Sequence, residues 1–236
     1  MVWHDLLFAH WPVNKPDLAE FIPPGLELES FDNSAWLGIV PFRMSGVRHR
    51  FLPPLPGASA FPELNVRTYV RDRSGRSGVW FFTLDAAHRL AVRVARLTYR
   101  LAYTNAQMSC RRAGDWIHYQ SRRTGPFTSL AVGRARTPHA EFRARYRPIP
   151  GSTVFSPAPG TLEHFLTSRY CLYAFGPRGV LRGEIDHDPW PLRLAEAQID
   201  VCTKAGPLGL ASLPAPPLLH YSECLSVVAW LPRPIP

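Results

Sequence analysis

Lysine is nearly missing from this chain: of its 27 basic residues only Lys15 and Lys204 are lysine. The arginines are spread from Arg43 to Arg233 among acidic and aromatic residues rather than gathered in a tail. The net charge of +9 and the isoelectric point near 9.9 therefore do not carry the expectation of a nucleic-acid partner. Cysteine is also sparse. Cys110, Cys171, Cys202 and Cys224 stand far apart, with no C-x-x-C pair and no histidine at metal-finger spacing, so reduced, mostly buried thiols are expected rather than disulfides or a metal site. No stretch approaches the roughly 18 apolar residues that cross a bilayer. The opening, Met1 to Pro12, carries His4 and Asp5 where a signal peptide would carry cations. A cytoplasmic chain with no membrane partner is expected. No G-x-G-x-x-G, P-loop or H-E-x-x-H is present, and no serine sits in a nucleophile elbow; neither cofactor nor metal is expected.

What is present is apolar mass and proline. Hydrophobic residues make up 46% and aromatics 12%, ample for a packed core. There are 25 prolines, and those in segments 53–57, 148–151, 157–160 and 214–217 bracket short apolar runs, the punctuation of strands joined by stiff loops. Residues 63–70, E-L-N-V-R-T-Y-V, alternate strictly. Leu64, Val66, Thr68 and Val70 share one face, and Glu63, Asn65, Arg67 and Tyr69 the other. Residues 78–84, G-V-W-F-F-T-L, are apolar on both faces, as in a central strand, and the 73–78 segment before them reads as a hairpin turn joining antiparallel partners. Asp85 reads as a helix N-cap, with Leu90, Val94, Leu97 and Leu101 forming the core face beside a solvated stripe of Arg89, Arg93, Arg96 and Arg100. Further alternation lies at 116–121, 141–147 and 225–231, and a second helix is expected over 161–166. Residues 148–159 offer a possible boundary, but no linker is polar enough to separate domains, so 1–236 reads as a single α+β domain built on a large curved or barrel-like sheet.

Several blocks carry a resemblance spanning nearly the whole chain: L-L-F-A-H-W at 6–11, P-P-G-L-E-L at 23–28, A-W-L-G-I-V-P-F at 35–42, F-P-E-L-N-V-R-T-Y-V at 61–70, G-V-W-F-F-T-L-D-A at 78–86, S-R-Y-C-L-Y at 168–173, H-D-P-W-P-L at 187–192 and V-V-A-W at 227–230. In order, they resemble the YqjF-like family of uncharacterised bacterial proteins, of the acetoacetate decarboxylase-like superfamily. The resemblance implies a cone-shaped antiparallel β-barrel with flanking helices and a small-molecule pocket. It is strong for fold and weak for chemistry. In the decarboxylase a strand glutamate and an arginine line the pocket, and a Pro-Lys-Lys element supplies the Schiff-base lysine. Glu63 matches that glutamate and Arg96 that arginine, but residues 99–105, Y-R-L-A-Y-T-N, hold no lysine. Arginine cannot substitute because it stays protonated, and only Lys204 could serve from elsewhere.

The expected ligand is a small anionic or carbonyl compound. Glu63 is the candidate general acid or base, and Arg67 the candidate for holding a carboxylate or enolate oxygen by two parallel hydrogen bonds. Asn65, Tyr69, Arg96 and Tyr103 are the further substrate-binding candidates, on the expectation that the polar strand face looks into a barrel cavity. The alternative is a buried Glu63–Arg67 structural pair. His187, in His187-Asp188-Pro189-Trp190, is a second catalytic candidate, although Asp186 and Asp188 point away from it in a strand and a structural role beside Trp190 competes. Arg43 and Arg48 either edge the cavity mouth or are ordinary loop charges. A noncatalytic ligand binder using the same cavity remains the alternative to an enzyme, and a homo-oligomer stays open.

Overall fold

The strict alternation and dense β-branched and aromatic content of residues 61–86 build two long strands, and the rest of the sheet grows from them. The computed structural model describes residues 1–47, 59–125, 140–210, 212–213 and 216–235. Arg48, the 53–57 proline segment and part of the 214–217 segment lie outside them. In chain order, β1 (Val2–Val13), α1 (Lys15–Ala19), β2 (Leu26–Leu28), β3 (Ala35–Ser45), β4 (Phe61–Asp72) and β5 (Ser77–Ala86) come first. Helix α2 (Arg89–Thr98), β6 (Tyr103–Ala113), β7 (Trp116–Arg123), β8 (Glu141–Pro148) and α3 (Leu162–Thr167) follow. The chain ends with β9 (Cys171–Gly176), β10 (Gly179–Asp186), β11 (Arg193–Cys202), β12 (Leu218–Ser226), β13 (Val228–Ala229) and β14 (Arg233–Pro234).

The sheet runs β5-β6-β7-β8-β11-β12-β1-β3-β4, and the antiparallel pairing of β4 with β5 closes it into a nine-stranded barrel, the acetoacetate decarboxylase-like form. The 73–78 turn is the expected hairpin, with Gly75 at φ 83. Pairing is antiparallel throughout the barrel except between β5 and β6, where α2 supplies the crossover a parallel pair needs.

Hydrogen bonds that cross the barrel show which face is inside. The Tyr119 hydroxyl on β7 reaches the carbonyl oxygens of Glu63 (2.6 Å) and Phe42 (3.2 Å) on β4 and β3, which are not its sheet neighbours. Tyr146 on β8 likewise donates to the Asp5 carbonyl on β1 at 2.7 Å. The interior is thus filled by Leu7, Ala9, Trp11, Ile39, Leu64, Val66, Tyr119, Phe142 and Tyr146. It also holds an ion cluster. Lys204 donates to Asp85 (2.6 Å), Ser121 (3.0 Å) and the Ala140 carbonyl (2.9 Å), and Arg123 Nε to Asp85 (2.9 Å), with both cations and the carboxylate fully buried.

Period-two geometry then places Glu63, Asn65, Arg67 and Tyr69 on the outer wall, not in the barrel lumen. That wall is covered. Phe8, Val40 and Phe42 pack outward against Trp190, Leu192 and Val92, while Leu84 packs under Leu172 and Ala174 of β9. Tyr69 lies beneath Leu166 of α3, the helix expected from the sequence and capped by Thr161.

Helix α2 differs from expectation in two ways. Asp85 is not its cap: it belongs to β5 and the barrel ion cluster, and His88 caps the helix through Nδ1. Nor does the Leu90, Val94 and Leu97 face point to the core. These side chains are 50–63% exposed and Val92 is the buried residue. The helix meets the outer layer through Val92, with Ala91 packed against the same cluster. Leu101, expected on that face, is buried but lies beyond the helix. The thiols are free, with Cys171 buried and Cys224 exposed. Among the described residues no helix is long and apolar enough to cross a membrane.

Because Asp85 is hydrogen-bonded to two buried cations, Asp85→Asn should cost about 3–5 kcal/mol in denaturant unfolding. Lys204→Met, which leaves the Asp85–Arg123 pair intact, should cost clearly less.

Candidate functional site

Outward-facing residues of four adjacent strands, β12, β1, β3 and β4, converge beneath α3 and the 187–192 segment. From β4 come Glu63, Asn65, Arg67 and Tyr69, each less than 9% exposed. From β1 come Phe8 and His10, and from β12 His220, which pairs in register with Phe8. Gly38 on β3 makes the junction possible. A Cβ there would sit 3.1 Å from His10 Cδ2 and 3.2 Å from Arg67 Cγ, so His10 and Arg67 lie side by side over a residue without a side chain.

Glu63 and Arg67 are not an ion pair. The Tyr103 hydroxyl donates to Glu63 Oε2 at 2.9 Å. Burial is the largest influence on this carboxyl, opposed by the Tyr103 hydrogen bond and reinforced by the nearby Asp85 charge, and it is pushed up to about 8. At neutral pH Glu63 is therefore mostly a neutral acid that retains a proton to donate. Burial also holds the Tyr103 phenol well above its ordinary value.

Arg67 lies between the Phe8 and Tyr69 rings, 5.4 and 5.7 Å from their centroids, and its Nη2 donates to the Leu166 carbonyl at 3.3 Å. Among the described residues its Nε has no partner, and neither has Asn65 Oδ1. All 18 acidic side chains fall among the described residues, and none pairs with Arg67. A buried cation without a counter-ion is costly. Tyr69 and His10 Nε2 share a 2.6 Å hydrogen bond, and among the described residues His10 Nδ1 and His220 Nδ1 have no partner. Burial, then the Arg67 charge, holds His10 well below its ordinary value, so it is neutral.

His187 stands at the rim. Its Nδ1 is 2.7 Å from the Asp188 carbonyl oxygen, and its ring stacks on Tyr170 and tilts against Trp190. Trp190 meets Phe8 edge-on at 4.8 Å, so His187 reaches Arg67 only through two aromatic side chains. Arg96 lies outside the polar strip and donates from Nε to the Tyr103 carbonyl at 2.6 Å. Arg43 lies 3.7 Å from Asp5, away from the strip. Lys204 is on the other side of the barrel wall with all three ammonium donors taken. Among the described residues no group of three or more His, Cys, Asp and Glu could hold a metal.

Sequence reasoning brought together Glu63, Asn65, Arg67, Tyr69 and Tyr103 but missed His10 and His220. The signal for His10 lay in the first strand, where Leu6, Phe8 and His10 alternate against Leu7, Ala9 and Trp11, a histidine within an otherwise apolar run.

A family model described as "Uncharacterized conserved protein", DUF2071, matches residues 1–226. The chain is 41% identical over 228 residues to the uncharacterized protein YqjF of Bacillus subtilis (strain 168), covering 97% of this chain and 88% of that protein. Among solved structures it is similar to the enduracididine biosynthesis enzyme MppR complexed with the condensation product of pyruvate and imidazole 4-carboxaldehyde, with TM-score 0.66, 13% identity, and 98% and 87% of the two chains covered. An acetoacetate decarboxylase-like enzyme from Sphingomonas wittichii RW1 aligns with TM-score 0.63 and 11% identity over 99% of this chain and 91% of that one. Acetoacetate decarboxylase from Legionella pneumophila aligns with TM-score 0.59 and 11% identity over 98% and 85%. At these identities the likeness shows the fold alone.

The raised Glu63 carboxyl has a consequence for stability. A group whose folded value lies above its unfolded one contributes stability that is fully present below about pH 4.5 and lost as pH rises through about 8. Across that window wild type should lose stability relative to Glu63→Gln, by on the order of a few kcal/mol in urea unfolding. His10 acts with the opposite sign below its ordinary 6.5 and cancels in the difference between the two proteins.

Proposed function

The chain belongs to the DUF2071 family, and from that premise we propose that it binds a small anionic or carbonyl-bearing molecule at the outer face of β4 and carries out acid–base chemistry on it without a covalent lysine intermediate. The observation that carries this reading is Arg67, a buried guanidinium with no carboxylate partner among the described residues. An anionic ligand is its counter-ion, and a carboxylate or enolate fits the planar fork. Asn65 Oδ1 and His10 Nδ1 supply further contacts.

Glu63 is the general acid. Near neutral pH it gives its proton to an oxygen on which negative charge develops, and the carboxylate left behind keeps the Tyr103 hydrogen bond until it takes a proton back from the ligand carbon or from water. No amine accompanies it: Lys204 is sequestered across the barrel wall and Lys15 lies on α1. The structural neighbours, an enzyme complexed with a pyruvate condensation product and two enzymes named for decarboxylation, support a small carbonyl-acid ligand.

The near-complete burial of Glu63 and Arg67 favours one further reading, retention of the same ligand without turnover. Glu63→Gln separates the two, because it abolishes a catalysed reaction and leaves retention intact.

Native mass spectrometry of freshly purified protein should show a bound small anion that is lost in Arg67→Ala. Wild type that carries nothing and binds no small carboxylate would contradict the reading. Borohydride treatment with a β-keto acid should leave the mass unchanged, whereas a stable adduct on Lys204 would overturn the lysine-free mechanism.

A further inference from the structure

A groove of about 470 Å³ opens at the surface between the C-terminal end of α2 and the β9–β10 hairpin. Its walls include Arg96, Arg100, Leu101, Phe175 and Pro177. It is not the strip described above, since none of its lining residues comes from β1, β3, β4 or β12.

Two cations face this groove and neither has an acidic partner. Arg96 commits Nε to the Tyr103 carbonyl, and no hydrogen bond among the described residues engages the rest of its guanidinium. Arg100 is exposed, and none of the 18 acidic side chains pairs with it. Its backbone is held at φ 55, the left-handed region that a long side chain rarely adopts. That conformation, just after the helix ends, turns the chain so that Leu101 is buried and Arg100 stays at the rim. Burial lowers Arg96 from its ordinary value, as expected of a partly desolvated cation without a counter-ion. The remaining wall is apolar, from Leu101, Phe175 and Pro177.

We propose that this groove is a binding site for a small organic carboxylate with a flat apolar body. The carboxylate lies between the Arg96 and Arg100 guanidinium groups, and the body rests against Phe175 and Leu101. Two guanidinium forks select a planar anion over a neutral isostere, and the groove volume suits a molecule of about ten heavy atoms or somewhat more. The Arg96 bond to the Tyr103 carbonyl links the site to Glu63, because the Tyr103 hydroxyl donates to that carboxyl. Binding itself does not depend on Glu63 being an acid catalyst.

The test is a fluorine NMR titration of the full chain with 4-fluorobenzoate, compared with the neutral 4-fluorobenzamide. Arg100→Asn removes the charge and keeps a residue that tolerates a positive φ. It should bind 4-fluorobenzoate about tenfold more weakly than wild type, and the benzamide should be weaker by at least about as much. Arg67→Ala, which disables the buried strip, should bind like wild type, so failure of that site and failure of this groove are told apart. Thermal unfolding establishes that each variant is folded. Benzoate binding that Arg100→Asn leaves unchanged, benzamide binding as tight as benzoate, loss of binding in Arg67→Ala, or no binding by folded wild type would each overturn the proposal.

Discussion

Burial of both faces of β4 is the constraint on which the rest of this structure depends. The strand's period of two sends Leu64, Val66 and Val70 into the barrel and Glu63, Asn65, Arg67 and Tyr69 outward. An ordinary barrel would leave that outer row in water. Here α3 and the 187–192 segment cover it, so every polar group in the row must find a partner inside protein or stand ready for one from outside. Gly38 is the local device that lets the row close up, because it allows His10 and Arg67 to share the space a side chain would fill.

The barrel wall also divides the buried charges into two environments. Inside, Asp85 meets Arg123 and Lys204, and the lysine's three donors are all used, which makes the cluster a closed structural element. Outside, Glu63 has a phenol and no cation as its partner, and Arg67 has a carbonyl and no carboxylate. Each outer group is thereby left with unused capacity, the acid with its proton and the guanidinium with its charge. A site able to bind an anion and move a proton follows from that separation, whereas a Glu63–Arg67 pair would have spent both.

The alternation of 63–70, the 73–78 hairpin and the Thr161-capped helix were legible in the sequence because each depends on neighbours within a few residues. The barrel was legible through the resemblance of ordered blocks across the chain. Which side of the wall the polar row faces was not, since alternation defines two faces and says nothing about which one a later segment covers. The same limit explains α2. Its periodicity is real, but Leu90, Val94 and Leu97 face outward, and the helix packs on the outer layer through Val92 and Ala91 instead. Asp85 looked like a cap from its place before an amphipathic run, yet its partners lie 38 and 119 residues away, at Arg123 and Lys204. His10 stood out only as a histidine in an apolar run, and its importance comes from Tyr69 and Arg67, two strands distant in the sheet.

The central claim is that Glu63 is a neutral acid near neutral pH. Selective carbon-13 labelling of glutamate side chains, with Glu63→Gln to assign its signal, allows that carboxyl to be titrated directly by NMR in the folded chain. The account predicts a midpoint near 8, far from the other glutamates. A midpoint in the ordinary carboxylate range, near 4.5, would contradict it.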